Sequence, residues 1–276
     1  VEFLVGKPHG IDLLRLDQSL RYQNYYEHSA NPPNWTKINP AHLDALDGLL
    51  VSSCNIIGLL SFHGSGYVRE AAVRRLAALT TGDELKYLLI RLNDWVPAVR
   101  IAARQAVQAR MRPEYARIFA TNIDLIERLT HWERVDHAQF INWILEYLKS
   151  PECQADVAAL LQSPDAITRR LIYRLLATPG SNQITTLLRQ GLKDRDPAIR
   201  LWAIREARKQ LTWGTLGEML DVPVKDRSAA VRLQAAHAYA EHLDAGSAPL
   251  LRRFLMDSAA SLRSIGRYYL AQREHC

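Results

Sequence analysis

Asp194-Arg195-Asp196-Pro197-Ala198-Ile199-Arg200-Leu201-Trp202-Ala203 is followed 32 residues later by Asp226-Arg227-Ser228-Ala229-Ala230-Val231-Arg232-Leu233-Gln234-Ala235. Each stretch carries an Asp, then a branched apolar residue and an Arg at the head of a helix-like run. The same pairing of apolar and polar residues recurs at Val68–Arg69, Val99–Arg100, Ile167–Thr168, Ile199–Arg200, Val231–Arg232 and Leu262–Arg263, with Val135–Asp136 filling the one wide gap. The intervals between the polar members are 31, 36, 32, 32, 32 and 31 residues. A period near 32 with two helical stretches per unit predicts an α-solenoid, in which each unit buries its apolar face only by stacking on its neighbours.

Working outward, the predicted elements alternate between helix and short turn. A helix is expected over 11–28, broken by Asn31-Pro32-Pro33-Asn34, and a long one from about Ala41 to Phe62. First helices of the units are expected near Glu84–Leu92, Pro113–Leu129, Gln154–Leu161, Gln183–Leu192, Thr215–Leu220 and Ser247–Met256. Second helices are expected to begin near Tyr67, Pro97, Arg134, Asp165, Pro197, Ala229 and Ala259. Pro97 and Pro197 suit a first helical turn, where the missing amide has no intrahelical partner to lose. The expected class is all-α, with an N-terminal helical cap and loop over 1–40 and one continuous array over 41–276. The pattern still runs at Ser261–Arg273, which leaves room for further repeats, and the chain opens at Val1 rather than Met, which leaves room for a preceding segment.

Four rung residues have an Asp six positions earlier: Asp94 with Arg100, Asp194 with Arg200, Asp226 with Arg232, and Asp257 with Arg263. An Asp in the turn and an Arg opening the next helix can bond each other or each other's neighbours, giving a structural ladder along the stack. Counting from the rung residue, position +3 holds Ala72, Ala103, Gln139, Leu171, Ala203, Ala235 and Gly266. Position +7 holds Leu76, Val107, Trp143, Leu175, Ala207, Tyr239 and Leu270. These lie on one face and are expected to pack on neighbouring units. Gln139 and Leu171 stand out, in the same units whose rungs are Asp136 and Thr168.

In these Asp/Val/Arg sets the chain resembles HEAT repeats, specifically the short HEAT-like repeats of phycobilisome lyases, over about residues 41–276. The resemblance implies a right-handed α-solenoid of about seven helical hairpins that serves as a binding scaffold.

Composition narrows the partner. Apolar residues make up 48% and charged residues 23%, ordinary globular usage, so the whole chain is expected to fold. Residues 1–60 hold four Lys and Arg against six acids, whereas the remainder holds 31 against 23, so the basic surplus lies in the repeats. Such a field favours phosphate backbones or acidic protein surfaces, and the scaffold role that the resemblance implies puts an acidic protein first and nucleic acid second. Positions +2, +5 and +6 form a stripe of Arg with interleaved aromatics, expected on the concave side and read as the partner-binding surface. It contains Arg74, Arg75, Gln105, Asn142, Arg170, Tyr173, Arg174, Trp202, Arg205, His237, Tyr268 and Tyr269. The same pattern also describes a solvated helix face with snorkelling arginines.

A second resemblance rests on Trp132 and Asp136, one helical turn apart, with Arg169 or Arg170 and then Trp202 following at steps of about one repeat. The arrangement is similar to that of HEAT-like alkylpurine DNA glycosylases. It implies a carboxylate at Asp136 that stabilises cationic character on the sugar while the Trp faces hold a cationic base. The alternative is that Trp132 and Trp143 are core aromatics and Asp136 pairs with a neighbouring Arg.

Other chemistry has little support. Gly64-Ser65-Gly66 lacks the Gly and Lys-Ser/Thr context of a phosphate loop, and Cys153 has no His or Asn context that marks a nucleophile. Nine scattered His residues offer no metal spacing, with His131 and His137 a weak pair, so no metal or cofactor is expected. Cys54, Cys153 and Cys276 are far apart and odd in number, which points to a reducing compartment and a cytoplasmic location. Leu49–Phe62 is too short and too polar to span a bilayer, so no membrane partner is expected.

Overall fold

A computed structural model describes residues 10–23, 34–46, 54–132, 137–241 and 248–274, and every regular element among them is helical. Two compact units, 1–172 and 173–276, divide the chain. In the first unit the α-helices are α1 (Gly10–Gln23), α2 (Cys54–Leu60), α3 (Gly66–Ala78), α4 (Leu85–Arg91), α5 (Pro97–Gln108), α6 (Ala116–Thr121), α7 (Ile123–Leu129), α8 (Ala138–Lys149) and α9 (Gln154–Ala159). Helix α10 (Ala166–Leu176) contains the division. The second unit then holds α11 (Ile184–Gly191), α12 (Pro197–Gln210), α13 (Trp213–Leu220), α14 (Ala229–Ala240), α15 (Ala248–Phe254) and α16 (Ala260–Glu274).

Two expected elements differ. Pro40–Leu46 is a 3-10 helix rather than the start of a long α-helix, and residues 47–53 lie outside the described set. The expected helix over Pro113–Leu129 is a 3-10 turn at Pro113–Tyr115 followed by α6 and α7. The two α-helices are separated at Asn122, whose Nδ2 donates to the Ile118 carbonyl at 2.8 Å. A side-chain amide competing for a helix carbonyl is a common way for Asn to interrupt a helix.

Burial follows one register along the second helices. In α3 the inward residues are Val68, Arg69, Ala72, Val73 and Leu76, and in α12 they are Ile199, Arg200, Ala203, Ile204 and Ala207. That is −1, 0, +3, +4 and +7 about the rung, a single helical stripe. Helix α3 packs on α5 in the first unit, while α14 packs on both α12 and α16 in the second. The partner helices α11 and α15 lie against α12 and α16 respectively. The core of the second unit runs without interruption from Ile184 through Ile204, Leu220 and Ala235 to Phe254 and Leu262.

The small residue at +3 has a measurable reason in α16. A Cβ on Gly266 would sit 2.9 Å from the Leu251 carbonyl oxygen and 3.2 Å from Leu255 Cδ2, so the close approach of α15 requires glycine there. In the first unit Gly58 plays the same part for Tyr87, whose ring lies 2.4 Å from where a Cβ would stand.

Candidate functional site

The ladder is built from atoms whose pairing the sequence spacing leaves open. Each rung Arg donates Nη1 to the carbonyls six and five residues earlier. Arg69 bonds His63 and Gly64, Arg100 bonds Asp94 and Trp95, and Arg200 bonds Asp194 and Arg195. Arg232 bonds Asp226 and Arg227, and Arg263 bonds Asp257 and Ser258, in the same way. The carboxylate partner belongs to the following turn. Nε and Nη2 of Arg69 fork to Asp94 at 2.9 Å each, Arg200 forks to Asp226 at 2.7 and 2.8 Å, and Arg232 forks to Asp257 at 2.8 and 2.7 Å. Each of these Asp residues also accepts the amide two residues on, at Val96, Ser228 and Ala259, fixing the turn that starts the next helix. One guanidinium thus ties its own turn to the next.

Applied to α8 and α10, this geometry removes the two irregular rungs. Arg169, not Thr168, donates Nη1 to the carbonyls six and five back, Ser163 and Pro164. Thr168 is the buried residue at −1, and its hydroxyl is satisfied locally by Asp165 Oδ2 at 2.7 Å, which lets a polar side chain occupy an apolar position. Ser163 takes the place of the turn Asp, its Oγ accepting the Asp165 amide. In α8 the buried residues are Phe140, Ile141 and Ile144, while Gln139 and Trp143 are exposed, so the rung position is His137. His137 is buried, with Nε2 3.4 Å from Asn93 Oδ1. Gln139, Leu171 and Trp143 are therefore not anomalous packing residues. In the common register positions +3 and +7 of these two helices are Phe140 and Ile144, and Ile172 and Leu176.

The same shift sorts the partner-binding stripe. Position +5 in the common register is Arg74, Gln105, Asn142, Arg174, Arg205, His237 and Tyr268, and all seven are exposed. Arg170 falls at +1 and is half-buried, and Tyr173 falls at the inward +4 position. Tyr173 is buried and its ring meets Trp202 at 5.6 Å, so it supplies packing rather than a docking surface. Half-buried Trp202 also lies over Gly191. Two arginines are engaged within the first unit, Arg74 with Glu70 at 2.8 Å and Arg75 with Asp44. In the second unit Arg205 Nε reaches Gln234 Oε1 at 3.4 Å, and Tyr268 packs edge-on against Tyr269 at 5.0 Å.

Of the four residues in the glycosylase resemblance, Asp136 lies outside the described residues, and Trp132 is half-buried. Trp132 and Arg170 belong to the first unit and Trp202 to the second.

Two buried arginines, Arg91 and Arg110, fall outside the repeat signature. Arg91 pairs with Asp94 at 3.0 Å and with Asp17 of α1 at 2.6 Å. Arg110 donates Nε to Glu84 at 2.9 Å and spreads its remaining donors over the carbonyls of Ala106, Leu76, Ala77 and Leu79, so it caps the C-terminal end of α3. A signal existed for Arg91: in Leu85-Lys86-Tyr87-Leu88-Leu89-Ile90-Arg91-Leu92 it sits inside a run too apolar to have a solvent face.

Electrostatics separates the rungs. Burial opposes ionisation of Asp94, but hydrogen bonds from Arg69, the charges of Arg91 and Arg69 and the Val96 amide outweigh it and hold the carboxyl below its ordinary range. At Asp226 burial again opposes ionisation, and Arg200 with the Ser228 amide outweighs it and lowers the carboxyl. At Asp257 the Arg232 hydrogen bond is the largest influence and burial is secondary. Charge is divided just as unevenly. Of the 35 Lys and Arg and 29 Asp and Glu, residues 1–172 hold 19 and 19, and residues 173–276 hold 16 and 10, so the whole formal surplus of +6 belongs to the second unit.

No protein-family model matches the chain, and no curated protein matches it.

Proposed function

We propose that this is a HEAT-like α-solenoid that acts as an interaction scaffold, holding an acidic protein against the exposed +5 row of its second helices. The supporting observation is the register. Every second helix, once aligned on its rung, presents position +5 to solvent, and in the second unit those residues are Arg174, Arg205, His237 and Tyr268. Helices α12, α14 and α16 pack in succession, so Arg205, His237 and Tyr268 follow one another on neighbouring helices. Arg and Tyr are the side chains that most often dominate a protein interface, since both combine a large contact area with a polar end. Point charges on a rigid frame steer an acidic partner and fix its register, and such attraction weakens with salt.

The test uses poly-glutamate as the acidic polypeptide, titrated against the whole chain at rising salt. Binding that weakens as salt rises is expected, with a loss of about tenfold in the Arg174→Glu/Arg205→Glu variant from reversal of two contacting charges. Salt-independent binding, or equal binding by the variant, overturns the reading.

A further inference from the structure

Three inter-helix turns of the second unit lie side by side along one edge, at the N-terminal ends of α12, α14 and α16. Arg227 Nη2 donates to the Arg195 carbonyl at 3.1 Å, which joins the first turn to the second. Arg232 forks to Asp257 and reaches Ser258 Oγ at 3.5 Å, which joins the second to the third. The exposed cations of this edge are Lys193 and Arg195, then Lys225 and Arg227, then Arg253 from the end of α15. The acids of the same turns have partners within the fold, exposed Asp221 accepting the Tyr239 hydroxyl at 3.1 Å. Asp226 and Asp257 are held by Arg200 and Arg232, while Asp194 and Asp196 accept the amides of Asp196 and Ala198. Helices of 14, 12 and 15 residues open onto the edge and add the positive ends of their dipoles. Two of the corresponding segments in the first unit, His63-Gly64-Ser65 and Asn93-Asp94-Trp95, carry no Lys or Arg, whereas the sequence between α7 and α8 includes Arg134.

Apolar side chains stand among these cations. An open recess of about 410 Å³ between the second and third turns is lined by Lys225, Arg253 and Met256, and Met256 is 88% exposed. Val222, whose carbonyl accepts the Lys225 amide, is 65% exposed. A row of cations attracts phosphate on any carrier. Protruding Met and Val gain nothing from a phosphodiester backbone, but they gain from the boundary between headgroups and acyl chains.

We propose that this edge docks peripherally on an anionic phospholipid bilayer, its cations on the headgroups and Met256 and Val222 dipped between them. Docking of this kind needs no spanning helix, and no helix among the described residues is long and apolar enough to be one. The proposal goes beyond the acidic-partner reading and uses a different face of the same helices.

Co-sedimentation of the whole chain with phosphatidylcholine vesicles, with and without phosphatidylserine, tests it. Binding is expected only with phosphatidylserine and is expected to fall with salt. Neutralising two contacting cations in Lys225→Ala/Arg253→Ala removes about thirtyfold in affinity. Met256→Asp weakens binding and Met256→Trp strengthens it, because the one removes apolar insertion and the other enlarges it. All three sites are exposed, so unchanged thermal melting reports that each variant is folded. Arg174→Glu/Arg205→Glu leaves vesicle binding intact while reducing poly-glutamate binding, which keeps failure of the two readings apart. Equal binding to both vesicle types, no response to Lys225→Ala/Arg253→Ala, or indifference to both Met256 variants overturns the proposal. Salt-dependent binding of duplex DNA through the same cations without vesicle binding also overturns it, and assigns the edge to a phosphodiester backbone.

Discussion

The rung Arg69–Asp94 in the first unit and the rung Arg232–Asp257 in the second are made from the same atoms at nearly the same distances, but in different surroundings. Side-chain exposure is 1% and 0% in the first pair and 14% and 13% in the second. Around Asp94 a second guanidinium, Arg91, and through it Asp17, complete a buried four-member network. Around Asp257 solvent shares the work. The contrast teaches that a repeated motif need not have a repeated energy. A charge pair closed off from water is held in place by the cost of breaking it, whereas the same pair at a wet edge contributes little. The charge distribution runs in parallel. The neutral unit closes its Arg69–Asp94–Arg91 and Arg110–Glu84 pairs off from water, and the basic unit carries exposed cations in its turns.

The largest expected effect comes from opening the buried network. Asp94→Asn leaves Arg69 and Arg91 without their shared carboxylate, and a loss of about 3–5 kcal/mol in unfolding free energy is expected from urea denaturation. A loss under about 1 kcal/mol would show that this rung is no different from its exposed counterparts. Next is Gly58→Ala, which forces a methyl group into the Tyr87 ring and should cost about 1–3 kcal/mol, read from the same denaturation curves. Asp257→Asn is expected to cost no more than about 1 kcal/mol, and an effect equal to that of Asp94→Asn would abolish the distinction between the units.

Acid sharpens the comparison further. Asp94, Asp226 and Asp257 all have carboxyls lowered on folding, so their stabilisation is fully present above the unfolded value of about 3.9 and disappears as pH falls through the folded values. Stability is therefore expected to fall steeply below about pH 4, and less steeply in the already destabilised Asp94→Asn protein. A pH profile unchanged by that substitution would assign the acid sensitivity elsewhere. The smallest effect is chemical. Burial, and secondarily the charge of Glu84, push the Cys54 thiol up to about 11, so alkylation at pH 8 in the native state should be negligible and should appear only on unfolding. Ready native-state modification would show that this side of the first unit opens.

Much of the candidate site was legible as periodicity. The exposed +5 residues Arg74, Gln105, Arg205, His237 and Tyr268 follow from counting along regular units. Tyr173 turns inward and Arg170 moves to +1 because Ile167–Thr168 matches the sequence signature of a rung, while Arg169 makes the rung's hydrogen bonds. A one-residue error turns a helix by 100°, enough to exchange an outward side chain for an inward one. The resemblance to alkylpurine glycosylases used the same register, with Asp136 as its centre, and the burial of α8 places the rung one residue later, at His137.

That every regular element among the described residues is helical, that Pro97 and Pro197 begin their helices, and that Asp and Arg recur in step can all be read from the chain alone. Those are local properties, fixed by side-chain periodicity and by the missing amide of proline. Packing between helices settles which Asp each Arg holds. The carboxylate six residues before Arg200 and the one 26 residues after it are both within reach of a flexible side chain, and packing selects the later one. It also decided that Arg91 and Arg110 lie inside, since a guanidinium is tolerated there only where neighbouring helices supply the acceptors.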